Sequence, residues 1–230
     1  MKNTGEMVAI TANGREAQGY LSVPPAGRGP GVVVVQEYWG LVPHIKAIVD
    51  RFAGDGFVAL APDLYHGETT ASADHAWKML LALRAEEAEK DLRGAVEYLR
   101  QHKSVSSTTV GSVGFCMGGA LSLFAASKNA EIGACVVFYG IHPSITPDIP
   151  NLQAPVLGIY AADDGFVSQE SVAALSAELT HHGKRHEFLT YPGVGHAFFN
   201  DTGKNYDREA AEDAWTRTTA FLRATLGAGT

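Results

Sequence analysis

The chain has 230 residues, 46% hydrophobic and 19% charged, with 25 glycines and 10 prolines. Such an apolar share supplies a buried core and excludes intrinsic disorder for the bulk of the chain. The formal net charge of -7 excludes an electrostatic nucleic-acid binder, which would carry a basic patch or stripe. No apolar run approaches the roughly 20 residues that span a bilayer. Residues 1–6 carry no apolar signal core, so the cytoplasm is the expected compartment. Two cysteines, Cys116 and Cys135, are too few for a disulfide framework and fit a reducing environment.

Residues 6–11 and 16–23 predict two strands joined by a turn at Asn13-Gly14. Residues 24–31 form a proline- and glycine-rich surface turn that lacks the Lys-Ser/Thr ending of a phosphate loop. The β-branched run 32–36 predicts a strand buried on both faces. Residues 43–53 read as a helix with Pro43 near its start, and 57–61 as the next strand. Helical spacing covers 75–83 and 85–102; Glu86, Glu87 and Glu89 suit the positive end of the second helix. Further strands are expected at 108–115, 132–138, 155–160 and 186–191, and helices at 117–127, 169–181 and 207–226. Short apolar strands alternating with helices predict one α/β domain over residues 1–230. It would be a three-layer sandwich with a mostly parallel central sheet and an N-terminal antiparallel hairpin.

The most informative stretch is Gly114-Phe115-Cys116-Met117-Gly118-Gly119, between a predicted strand and a predicted helix. It has the form of the nucleophile elbow of an α/β-hydrolase, with cysteine in place of serine. The nucleophile of such an elbow sits in a strained turn, so side chains two residues before and after it would collide with strand or helix. Gly114 and Gly118 occupy those places. The helix that follows aims the positive end of its dipole at the sulfur.

A cysteine nucleophile needs a base and an orienting acid. In this fold they follow in the order nucleophile, acid, base, on loops after later strands. Asp163 and Asp164 lie just beyond one strand and His196 just beyond the last. His196 is assigned as base and Asp164 as the carboxylate that holds its tautomer, with Asp163 as competitor. His66 and His142 lie on loops that could border a pocket; His181, His182 and His186 are expected to face water. Asn200-Asp201-Thr202 matches a glycosylation acceptor pattern, read as chance in the absence of a secretion signal.

The chain resembles the dienelactone hydrolases (carboxymethylenebutenolidases). The resemblance rests on Gln36-Glu37-Tyr38-Trp39-Gly40, Ala61-Pro62-Asp63-Leu64-Tyr65, the Cys116 elbow, Asp164-Gly165-Phe166-Val167 and Gly195-His196-Ala197-Phe198. It implies a triad of Cys116, Asp164 and His196, with Glu37 beside the thiol to take its proton when substrate binds. It implies an oxyanion hole from the backbone N–H groups of Met117 and Tyr38, and a monomer. Such enzymes hold a carboxylate of their substrate with two arginines. Here Asn200 stands four residues beyond His196, and no arginine occurs from Tyr65 until Arg84. An anionic lactone would therefore lose its charge-assisted anchor. Trp39, Tyr65, Tyr139, Phe166, Phe198, Asn200 and Tyr38 are expected to line a mostly neutral pocket. The expected activity is hydrolysis of small esters or lactones through an acyl-cysteine, with no metal or cofactor, no nucleic acid and no membrane. A ligand-binding or redox-sensing protein on the same scaffold, and an acyltransferase, are the competing readings.

Overall fold

A computed structural model describes residues 4–227 apart from Asn13. β1 (Glu6–Ala12) and β2 (Arg15–Ser22) pair antiparallel, and Ala12 opposite Arg15 leaves a two-residue loop. Gly14 has φ +72°, as such a loop requires; the Asn13 half of the predicted turn lies outside the described residues. β2 runs antiparallel to β4 (Val58–Pro62). β3 (Gly31–Val35), β5 (Val110–Phe115), β6 (Ile132–Phe138), β7 (Val156–Ala161) and β8 (His186–Tyr191) join β4 in parallel. The single eight-stranded sheet has the order β1-β2-β4-β3-β5-β6-β7-β8. The predicted strand and helix ends fall within two residues of those observed. A 3-10 turn at Ile149–Asn151, with Pro150 near its start, is the unpredicted element.

Alternation along the buried strands divides the core in two. Val33 and Val35 of β3 face one apolar cluster, Val32 and Val34 the other. The first cluster is closed by α3 (Ala85–Gln101), α4 (Met117–Lys128) and α5 (Gln169–His181). The second is closed by α1 (Pro43–Gly54) and α6 (Arg208–Leu226). α2 (Ala73–Ala82) adds Leu80 to the first. Every residue from Met117 to Ser127 is buried, so α4 shows no polar face. The Ser122 hydroxyl donates to Ser112 Oγ at 2.8 Å and lies 3.6 Å from Cys135 Sγ, tying α4 to β5 and β6. Burial pushes the Cys135 thiol up to about 11, consistent with a packing role. No helix among the described residues is long and apolar enough to cross a membrane.

Candidate active site

β5 ends at Phe115 and α4 begins at Met117, which leaves Cys116 alone in the bend. Its φ of 55° and ψ of -120° are strained for a residue with a side chain. The flanking glycines permit the bend. A Cβ on Gly114 would stand 1.8 Å from the Gly118 carbonyl oxygen, and one on Gly118 would stand 2.4 Å from the carbonyl oxygens of Val35 and Gln36. These obstacles are backbone and cannot rotate away. Gly114→Ala is therefore expected to cost about 3 kcal/mol or more of stability, on the scale of severe overpacking. A urea midpoint equal to that of the unaltered protein would refute this close packing.

The loops after β7 and β8 bring the acid and the histidine together. Asp164 Oδ2 lies 2.8 Å from His196 Nδ1, and the Asp164 side chain is 1% exposed. Its other oxygen accepts from the N–H groups of Phe166 and Val167 at 2.8 and 3.0 Å. Asp163 is exposed and its backbone N–H binds the Val194 carbonyl, so Asp164 is the carboxylate in place. Burial pushes the Asp164 carboxyl up, but the hydrogen bond and charge of His196 and the two N–H groups outweigh it and hold it below the usual value. For His196 burial acts downward; the Asp164 and Cys116 partners more than offset it and raise the imidazole to about 10. Ala197, directly after the histidine, has φ 63°, a second strained residue at the site.

Glu37 follows β3 and is 1% exposed. Its hydrogen bond comes from the Asn200 amide, Nδ2 to Oε2 at 2.8 Å. Burial raises its carboxyl to about 7, with the Asn200 bond and the nearby His196 charge acting in the opposite direction. Asn200 was expected at the substrate; instead it is 6% exposed and committed to Glu37. Two expected pocket walls are likewise core. Phe198 is 0% exposed, because the bend at Ala197 turns the following residues inward against Tyr139 and Tyr191. Tyr139 is 1% exposed with φ 39°, and its ring stands edge-on beneath His196 at 5.0 Å. It backs the histidine, and its buried hydroxyl has no hydrogen-bond partner among the described residues.

Tyr38, Trp39 and Tyr65 are half-buried, and Phe166 is exposed beside His196 with ring centroids 4.9 Å apart. The Tyr65 hydroxyl donates to Met117 Sδ at 3.2 Å. Among the described residues no acceptor is seen for the N–H groups of Met117, at the start of α4, and Tyr38, in the loop after β3. The segment 67–74 is strapped to the Glu37 loop: the Thr70 N–H donates to the Trp39 carbonyl at 3.1 Å. Gly40, at φ +91°, allows that approach, since a Cβ there would stand 2.5 Å from the Glu68 carbonyl oxygen. His66 and Arg84 line a neighbouring cavity of about 290 Å³ with Tyr65, Glu68, Glu87 and Asp91. His142 is half-buried, and its Nδ1 accepts from the Ser144 N–H at 3.2 Å; His181 and His182 are exposed, whereas His186 is half-buried with Nε2 2.9 Å from Ser176 Oγ. The larger surface groove, about 560 Å³ and lined by Arg51, Asp55 and Trp215, contains none of the site residues.

A strained cysteine between the fifth strand and a buried helix, with an acid after β7 and a histidine after β8, defines an α/β-hydrolase. The comparisons narrow the class. Residues 17–226 match the Dienelactone hydrolase family, and the chain belongs to that family. It is 38% identical to "Protein usf" of Aquifex pyrophilus, over 96% of this chain and 99% of that one. It is 32% identical to the "Putative carboxymethylenebutenolidase" of Aquifex aeolicus, with 96% and 99% covered. The solved structure titled "Putative Dienelactone Hydrolase" from Klebsiella pneumoniae superposes with a TM-score of 0.84 at 27% identity, covering 94% of this chain and 98% of that one. The protein is a hydrolase of the dienelactone-hydrolase type.

Proposed function

We propose that the protein hydrolyses small, mostly neutral esters or lactones through an acyl-cysteine on Cys116. The observation that carries this reading is the 2.8 Å contact of His196 with Asp164, together with the strained bend that presents Cys116 between β5 and α4. The thiol proton passes to Glu37, and the sulfur attacks the carbonyl carbon. The Met117 and Tyr38 N–H groups receive the developing oxyanion; one such donor is typically worth about 3 kcal/mol. Imidazolium at His196 protonates the leaving alkoxide. The neutral ring then takes a proton from water, which attacks the thioester and releases the acid and free Cys116. Asp164 stabilises the imidazolium and holds its tautomer. The same reading takes the enzyme as a cytoplasmic monomer with a small-molecule substrate.

The neutral preference follows from what stands near the site. The Asn200 amide is spent on Glu37, and Arg84 shares its cavity with Glu68, Glu87 and Asp91. Neither offers a fork for a substrate carboxylate. Aryl esters and neutral lactones, tested beside a dienelactone, are expected to show the higher kcat/KM. Efficient turnover of the dienelactone alone would overturn the neutral preference while leaving the triad untouched.

A further inference from the structure

Asn200 accepts two hydrogen bonds through Oδ1: from the Thr202 backbone N–H at 3.0 Å and from the Thr202 hydroxyl at 2.7 Å. A backbone N–H can only donate, so the atom facing it must be the amide oxygen. The other end of the amide is then the NH2 group, which also can only donate, and it faces Glu37 Oε2. The segment is fixed on both sides: Asn200 N–H donates to the Ala197 carbonyl, Gly203 N–H donates to the Asn200 carbonyl, and Asp201 holds His44 of α1 at 3.0 Å. The Asn200-Asp201-Thr202 pattern thus spells a turn that aims an amide, and the nitrogen a glycan would need is buried against Glu37.

We propose that Thr202 is a positioning residue for Glu37: it locks the Asn200 amide so that the NH2 group occupies Oε2 and leaves Oε1 as the oxygen that gains and loses the proton. The inference deepens the reading of Glu37 as acceptor of the thiol proton. In that step the Cys116 S–H bond breaks, an O–H bond forms at Glu37 Oε1, and the electron pair stays on sulfur. An amide donor stabilises the carboxylate without adding charge. The titratable groups whose charges act with that of Glu37 are His196, Tyr38 and Tyr139, and the last two also feel Cys116.

The test is an infrared titration of the carboxylic-acid stretch in the substrate-free enzyme, with the Glu37 band identified by its loss in Glu37→Gln. Thr202 is exposed, so its substitution spares the core. Thr202→Val removes the hydroxyl donor and is expected to move the Glu37 midpoint upward by about half a pH unit, the weight of one weakened hydrogen bond. Thr202→Ser is expected to restore it. Asn200→Asp keeps the turn but sets two carboxyl oxygens against each other, and is expected to raise the midpoint by more than about one unit. A midpoint that Thr202→Val leaves unmoved while Asn200→Asp shifts it would overturn the positioning role of Thr202, and one unmoved in both would also remove Asn200 as the partner of Glu37. Because the titration needs no turnover, it decides this point separately from the catalytic role. That role is read from the acid limb of kcat/KM, which Glu37→Gln should abolish.

Discussion

Cys116→Ala is expected to lower kcat/KM by about 10⁴-fold or more on any ester or lactone the enzyme hydrolyses, the scale on which removal of a nucleophile acts when the triad works as a unit. The fold should survive, because Cys116 is half-exposed and the contacts that shape the elbow belong to Gly114, Gly118 and Gly119. Cys116→Ser should retain a small residue of activity, since His196 and the two N–H donors remain around it. Steady-state kinetics with circular dichroism as a folding control checks both. A Cys116→Ala enzyme as active as the parent would end the acyl-cysteine account.

Glu37→Gln is expected to have opposite effects on activity and stability. General-base contributions of about 10²- to 10⁴-fold set the scale of the loss in kcat/KM. The wild-type rate should rise with pH through about 7, where Glu37 ionises, because only the carboxylate can accept the thiol proton. For stability the sign is reversed. Below the ordinary value of 4.5 both folded and unfolded chains carry the Glu37 proton. Between 4.5 and about 7 the unfolded chain loses it first, so stability falls as pH rises. Above about 7 the penalty is complete, on the order of 3 kcal/mol at 1.36 kcal/mol per pH unit. Glutamine removes the charge and so the penalty. Urea unfolding should show Glu37→Gln more stable than wild type at pH 8, with the advantage gone near pH 4. An equal midpoint shift at both values would mean that packing, not ionisation, sets the difference. A carboxylate kept at a cost in stability, where function requires it, is a familiar trade-off.

Most of the architecture was legible because its signals are local. Buried parallel strands appear as β-branched runs, and the elbow appears as a glycine spacing that backbone collisions at Gly114 and Gly118 enforce. The choice between Asp163 and Asp164 was harder, since both follow β7. Only the three-dimensional turn separates them: the Phe166 and Val167 N–H groups hold one Asp164 oxygen and leave the other against His196, while Asp163 is exposed. Aromatic residues near the site could not be sorted by pattern. Tyr139 and Phe198 are core beside the positive-φ bends at Tyr139 and Ala197, and Phe166 is exposed on the turn held by Asp164, none of which a periodicity encodes. Asn200 was misread for a related reason. Its position after His196 suggested a contact with substrate, while its actual partner, Glu37, is 163 residues away in the chain. The signal that could have found it was the Asn-x-Thr pattern, set aside as a chance match and in fact the turn that aims the amide.

The central claim is a covalent acyl group on the Cys116 sulfur, and trapping it is the most direct measurement. Wild type would be mixed with an activated aryl ester, quenched in acid within the first turnover, digested and analysed by mass spectrometry. The account predicts an acyl mass increment on the peptide containing Cys116, absent from Cys116→Ala and lost over time as free acid accumulates. Turnover with no label on Cys116, or a label on another residue that Cys116→Ala retains, would contradict it.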